Sequence, residues 1–306
     1  MISDKPEGPV LVTGATGLVG SDLAARLLGR GYRVRVLARK AEEVNLPGAE
    51  IAEGDITDPD SLEKACAGVE AAVHLVAVIR EKEKATFQEI NCRGTVNILR
   101  SAENAGVARF IHLSALGATE NPAYRYAHSK WLAEEAVRSS MIRWTIIRPS
   151  VIYGRGFGFF NRIIQSMRIS PPFLAPVPGM GGSLFQPIAV EDVSDCIIRA
   201  LEDAGFMYGV YEIGGPEHVS YKEMVDAVLK ILGQRRLKLP VPVLIMKLAV
   251  PVMGLIFKDP PVTPVELKQL ELNNITDIDS VCSNFGFRPR RFQDGLAEIK
   301  DYLESI

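Results

Sequence analysis

Val10-Leu11-Val12-Thr13-Gly14-Ala15-Thr16-Gly17-Leu18-Val19-Gly20 is the stretch on which the fold turns. A short apolar run ends in glycines spaced G-x-x-G-x-x-G. Leu18, Val19, Leu23, Leu27 and Leu28 then recur at helical spacing until Gly31 closes the segment. A buried strand, a tight turn and a helix are implied. The first glycine permits the turn, the second lets backbone approach a pyrophosphate, and the third lets the helix pack closely on the strand. The helix start offers unpaired N–H groups and the positive end of its dipole to an anion. Gly14, Thr16, Gly17, Leu18, Val19 and Gly20 are therefore candidate dinucleotide ligands.

Strand-like and helix-like segments continue to alternate downstream. Arg33–Leu37 and Ile51-Ala52 read as strands, and Asp58-Pro59 opens a helix through Ala67. Ala71–Ile79 is almost continuously apolar, as in a strand buried on both faces of a parallel sheet. Helices are expected at Thr86–Asn104 and Tyr124–Arg138, and strands at Phe110–Leu113 and Trp144–Ile147. This order predicts an α/β fold, a doubly wound parallel sheet with helices on both faces. After Pro149 the composition changes. Gly154–Gly158 and Pro171–Gly182 read as loops over a binding crevice. Helices return at Val190–Leu201, Tyr221–Leu232 and Phe292–Leu303, with Ser220 and Glu223 at capping-box spacing.

The chain has 306 residues, enough for one large or two modest domains. Lys+Arg of 35 against Asp+Glu of 37 leaves a net charge of −2, which argues against a general nucleic-acid binder. Apolar residues make up 47% and charged residues 24%, which excludes disordered, collagenous and coiled-coil classes. Cys66, Cys92, Cys196 and Cys282 are far apart, and the four histidines are equally scattered, so no metal site is expected. A reducing cytoplasm is the default location. The polar lead before Pro9 is too short to be read as a signal or transit peptide.

The end of the second strand bears on cofactor choice. An acid there would accept hydrogen bonds from a ribose 2′-hydroxyl and repel a 2′-phosphate. Leu37-Ala38-Arg39-Lys40 has no acid; Arg39 suits a bidentate phosphate contact and Lys40 adds charge. NADP(H) is therefore expected ahead of NAD(H). Tyr126 and Lys130 stand four apart on a predicted helix and so share a face. A nearby ammonium would lower the phenol from its ordinary value of about 10. The pair could then exchange a proton as a hydride moves.

These motifs together resemble the short-chain dehydrogenase/reductase superfamily, in its extended or atypical branch, over residues 9 to about 215. The resemblance implies a Rossmann-type domain over residues 1–154, with segments near 185–215 returning to it. Residues 155–306 would form a smaller, mostly helical substrate lobe. Gly54-Asp55-Ile56 is similar to the adenine-binding segment, which makes Asp55 and Ile56 cofactor candidates. Val73-His74-Leu75-Val76-Ala77 resembles the strand end that passes the ribose and diphosphate, with Leu75, Val76 and Ala77 as contacts. Asn91-x-x-Gly94-Thr95 looks like the N-x-x-G-T helix whose Asn supports the active site. Arg148-Pro149-Ser150-Val151-Ile152-Tyr153-Gly154 is similar to the segment beside the nicotinamide, adding Pro149, Ser150 and Val151. Val190-Glu191-Asp192-Val193 matches a V-x-D-V helix start.

Within that branch the likeness is to the subgroup containing the NADPH-binding accessory subunit of respiratory complex I and its bacterial relatives. Phe110-Ile111-His112-Leu113-Ser114, Arg125-Tyr126 with Lys130, and Phe185-Gln186-Pro187-Ile188 carry it. One position departs. The superfamily commonly has two hydroxyl residues at this strand end, the second catalytic, and here the pair reads Ser114-Ala115. Ser114, included among the cofactor candidates, is expected to face structure. Losing one donor to a developing oxyanion lowers rates by about 10²–10³.

Three functions compete. The first is an NADP(H)-dependent oxidoreductase on a small apolar, quinone-like or isoprenoid substrate, with Tyr126 as acid/base, Lys130 lowering its pKa and binding ribose, and Asn91 in support. The second is a non-catalytic NADPH-binding accessory or sensor protein, favoured by Ala115. The third is a nucleotide-sugar epimerase or dehydratase, which Arg39 and Ala115 oppose. Leu239–Phe257 is long and apolar, but Pro240, Pro242, Pro251 and Lys247 interrupt it and are expected to break it into pieces too short to span a bilayer. The plain expectation is a core-facing helix of the C-terminal lobe. However, Val243, Leu244, Met246, Leu248, Val250, Met253, Leu255 and Ile256 outnumber what one face of a short helix can bury. Part of an apolar face should remain exposed, for a pocket, a membrane surface or a protein complex.

Overall fold

The computed structural model describes residues 5–156, 158–256, 260 and 262–305, with backbone alone over 251–256. In chain order the first strands are β1 (Val10–Thr13), β2 (Val34–Ala38), β3 (Glu50–Glu53), β4 (Ala71–His74), β5 (Arg109–Leu113) and β6 (Arg143–Pro149). They are followed by β7 (Ile152–Tyr153), β8 (Leu174–Pro178), β9 (Leu184–Phe185), β10 (Ile188–Ala189), β11 (Gly209–Ile213), β12 (Val219–Ser220) and β13 (Leu237–Val241). The chain divides into two compact units, residues 1–149 with 190–213, and residues 150–189 with 214–306.

The first unit holds a seven-stranded sheet in the order β11-β6-β5-β4-β1-β2-β3, with every pairing parallel. This is the doubly wound α/β sheet expected from the alternation. The order reverses between β1 and β4, so the carboxyl ends of these two strands flank the topological switch point where such sheets take ligands. Leu11, Ala72, Phe110 and Ile146 on one sheet face pack with Leu62, Ile98 and Val137 of the helices Pro59–Cys66, Gly94–Asn104 and Arg125–Arg138. The helices Leu18–Gly29 and Val190–Glu202 pack together in the same unit.

Two elements differ from their sequence reading for local polar reasons. The apolar run beginning at Ala71 stops being a strand at His74, not Ile79. The Leu75 N–H donates to Thr13 Oγ1 at 3.2 Å, and Asn91 takes both backbone groups of Val78. The expected helix Thr86–Asn104 is wound as a wider π-helix over Phe87–Arg93 before becoming α-helical at Gly94. Such turns gather at functional sites.

The second unit is built on an aromatic core that includes Tyr153, Phe160, Phe185, Tyr221 and Phe292. The Ser220–Glu223 capping box is present. Within the Pro171–Gly182 stretch, read as loop, lies strand β8, paired in parallel with β13. Proline is tolerated there because a two-stranded ribbon consists entirely of edges. The helix Val243–Ile256 runs through Pro251, so that proline does not break it. Nor does the helix face only the core: Leu244 and Leu248 are 72% and 71% exposed, whereas Val250 is buried. The side chains of Met253, Leu255 and Ile256, together with Phe257, Phe157 and the first four residues of the polar lead, lie outside the described residues. Among the described residues no helix is long and apolar enough to cross a membrane, and no cluster of three His, Cys, Asp or Glu could hold a metal.

His74 and His112 are register partners on β4 and β5, and their rings stack with centroids 5.6 Å apart. Both are fully buried, and burial with the nearby Lys130 charge pushes His74 down to about 3 and His112 well below its ordinary value. Both rings are therefore neutral in the fold. Below pH ~6.5 the unfolded chain takes up protons that the folded chain refuses, so stability present above that pH is lost as pH falls. The loss is about 2 kcal/mol for His74 by pH 5, and His112 adds to it in the same direction. Neither nitrogen of His112 has a hydrogen-bond partner among the described residues. His112→Leu should thus be no less stable at pH 8 and should lose the part of the acid sensitivity that His112 contributes. Urea titrations at pH 8 and pH 5 check this; an unchanged difference between the two pH values would refute the assignment.

Candidate functional site

The glycine turn closes tightly over the switch point. Gly14 adopts φ +75°, and a Cβ there would lie 3.2 Å from the Val76 nitrogen. A Cβ on Gly20 would stand 2.1 Å from the Gly14 carbonyl oxygen, so only glycine lets the helix approach the turn. The Gly17 N–H donates to the Gly14 carbonyl at 2.9 Å. The bare backbone of this turn fits a pyrophosphate, which needs N–H groups and no intervening side chains. Leu75 and Val76 are half-buried and Ala77 is exposed just past β4, on the other side of the switch point.

Thr13 and His74 lock these two strand ends. Thr95 Oγ1 donates to the Asn91 carbonyl, so it accepts from His74 Nε2, 3.1 Å away. His74 Nδ1 then accepts from Thr13 Oγ1 at 2.8 Å. Asp55 Oδ1 accepts from the N–H and hydroxyl of Thr57, fixing the turn after β3. Ile56 is buried and packs closely on Gly94. Arg39 and Lys40 follow β2 directly and are exposed, and Lys40 lies 3.9 Å from Glu43.

Tyr126 and Lys130 stand one turn apart on the helix Arg125–Arg138. Tyr126 is half-buried against Phe87, ring edge to face at 5.8 Å. Burial pushes its phenol up to about 12 instead of down. Lys130 does not offset this: its Nζ donates to the Leu113 carbonyl at 2.7 Å, at the end of β5. Burial lowers Lys130 to about 8, partly opposed by Glu134 and Cys92. The resting phenol therefore holds its proton.

Asn91 is fully engaged. Its Nδ2 donates to the Val78 carbonyl and to Ser129 Oγ, its Oδ1 accepts from the Val78 N–H, and Ser129 Oγ donates to the Tyr126 carbonyl. It therefore sets the start of the Tyr126 helix against the loop after β4, and is a positioning residue. Ser114 faces structure, as expected, with its hydroxyl donating to the buried Glu134. Glu134 also accepts from both Nε and Nη2 of Arg148 and from Arg138. Ala115, half-buried after β5, brings no hydroxyl to the place left by Ser114. In the second unit Ser150 Oγ donates to Asn274 and accepts from the Gln186 N–H, and the Val151 N–H also reaches Asn274.

The sequence reading takes Thr95 only as the last residue of the N-x-x-G-T motif, and gives Thr13, Ser129 and Glu134 no role at the site. Among these three Glu134 left a signal, four residues from both Lys130 and Arg138.

A family model described as "NAD dependent epimerase/dehydratase family" matches residues 10–214. The "NADH dehydrogenase [ubiquinone] 1 alpha subcomplex subunit 9, mitochondrial" of Arabidopsis thaliana is 29% identical over 298 residues, spanning 92% of this chain and 72% of its own. A "3 beta-hydroxysteroid dehydrogenase/Delta 5-->4-isomerase" of Mycobacterium tuberculosis is 26% identical, spanning 98% of this chain and 91% of its own. The solved structure of UDP-glucuronic acid 4-epimerase from Bacillus cereus, in complex with UDP-glucuronic acid and NAD, shares the fold. Its TM-score is 0.75 at 22% identity, over 97% of this chain and 99% of that one.

Proposed function

The chain belongs to the NAD dependent epimerase/dehydratase family, and from that premise we propose that it is an NADP(H)-dependent oxidoreductase that reduces a small, apolar carbonyl or quinone-like substrate. The observation that carries this reading is the protonated Tyr126 phenol one helical turn from Lys130. Bound NADPH would supply the hydride for the carbonyl carbon. Tyr126 gives its proton to the carbonyl oxygen, and Lys130, held near pH 8 by burial, stabilises the phenolate left behind. Gly14–Gly20 hold the pyrophosphate, Asp55 and Ile56 border the adenine, and Leu75–Ala77 pass the ribose and diphosphate. Pro149, Ser150 and Val151 lie in the segment assigned to the nicotinamide. The steroid named for the Mycobacterium relative supports an apolar substrate here.

Arg39 is assigned to the 2′-phosphate. A charge-assisted contact of this kind is worth about tenfold or more in affinity. Fluorescence titration should therefore find NADPH bound at least tenfold more tightly than NADH, and Arg39→Asp should reverse the order. Equal affinities in the parent protein would remove this assignment.

Ala115 favours a second reading, a non-catalytic NADPH-binding accessory protein; the name of the Arabidopsis relative, a subunit of an NADH dehydrogenase, supports only the place in a larger assembly. That reading predicts tight NADPH and no turnover across quinones, aldehydes and ketones. A nucleotide-sugar epimerase would instead hold NAD and want a hydroxyl at Ala115.

A further inference from the structure

The second unit carries an apolar surface that its own core does not use. Strands β8 and β13 pair Leu174 with Leu237, Pro176 with Leu239, and Pro178 with Val241. Register partners on parallel strands share a face, so one side of this ribbon is apolar at all six positions. The opposite side buries Ala175 and Val177 in the core and turns Lys238 to Asp226. On the outer side Leu237 is 71% exposed and Leu239 45%. The surface continues into the helix Val243–Ile256. The Gly179 N–H bonds the Val241 carbonyl, and a Cβ on Gly179 would touch Val243 at 3.4 Å. Leu244, Ile245 and Leu248 then extend it, with Phe173 and Met180 exposed at the ribbon ends.

Pro176, Pro178 and Pro240 have no N–H, so the ribbon is a poor template for an added strand. The charge around it decides the occupant. From residue 150 to 189 there are three arginines and no acid, and from 227 to 258 six basic residues and no acid, in a chain of net charge −2. Arg168 ends the helix Phe159–Arg168 five residues before Phe173, and Arg236 Nη1 caps the carbonyls of Met167 and Leu174. Lys230, Arg235 and Lys247 are exposed. The nearby acids Asp226 and Glu271 are paired with Lys238 and with Lys247 and Lys268. An apolar face on segments that carry basic residues and no acid is the chemistry of an anionic lipid surface, with leucines entering the headgroup boundary and Lys/Arg meeting phosphates. We infer that this face of the ribbon and helix seats the protein peripherally on an anionic membrane, independently of its cofactor and chemistry.

Flotation of the full chain with phosphatidylcholine vesicles, pure or with about one third phosphatidylserine, tests this. The expected result is binding to the anionic vesicles, weakened at least tenfold by Leu244→Asp/Leu248→Asp and, separately, by Lys230→Glu/Arg235→Glu. All four positions are exposed, and unchanged circular dichroism and NADPH affinity verify folding. Protein that stays unbound with both vesicle types overturns the inference, as does binding that survives both variants. Self-association of the parent that Leu244→Asp/Leu248→Asp abolishes, without vesicle binding, would make the face a contact between copies instead.

Discussion

Replacing Tyr126 with phenylalanine is expected to lower hydride-transfer turnover by about 10²–10⁴-fold and to leave NADP(H) affinity nearly unchanged. The substitution removes one hydroxyl and retains the ring that packs on Phe87. That hydroxyl is the proposed proton donor, and burial keeps it protonated through neutral pH. Position 115, where the superfamily commonly has its catalytic hydroxyl, is alanine. Lys130→Met should damage both turnover and binding, since Lys130 is assigned to the phenolate and to the ribose. Steady-state kinetics with a parallel cofactor titration separates the two effects. Full turnover by Tyr126→Phe would remove the mechanism.

Glu134→Ala should destabilise the protein by about 3–5 kcal/mol. The Glu134 side chain is fully buried and is the shared acceptor for Ser114, Arg138 and a two-pronged Arg148. Arg148 retains Glu212 at 3.3 Å, but its Nε and Nη2 lose their partners. An uncompensated cation near the interior costs more than the pair contributed. Glu134→Gln keeps an acceptor oxygen and should lose less. Denaturant titration gives both values, and an alanine variant within about 1 kcal/mol of the parent would show that the network is dispensable. The network ties the ends of β5 and β6, so the same variant should also misplace the strand end at Ala115.

The first unit was legible because its chemistry is local. Three glycines at fixed spacing, an apolar strand before them and a helix period after them are all readable within about twenty residues. The Tyr126–Lys130 spacing was legible for the same reason. The direction of the Tyr126 shift was not, since it comes from burial of the ring in the tertiary fold, where Phe87 packs on it. The true end of β4 escaped because apolarity continues to Ile79, whereas hydrogen bonding from Thr13 and Asn91 ends the strand. Strand β8 escaped because Pro176 and Pro178 carry a loop signature. Only its distant partner β13, about sixty residues on, makes it a strand.

The most direct measurement is label transfer from NADPH deuterated at the reactive C4 position, incubated with the parent protein and a panel of apolar ketones, aldehydes and quinones. Ketones and aldehydes report carbon-bound label, and quinones report NADPH oxidation. Deuterium on the carbinol carbon of a reduced product, absent with Tyr126→Phe, is the expected result. Protein that instead holds NAD tightly and epimerises a nucleotide sugar, with no label transferred to any of the carbonyl compounds, would contradict it.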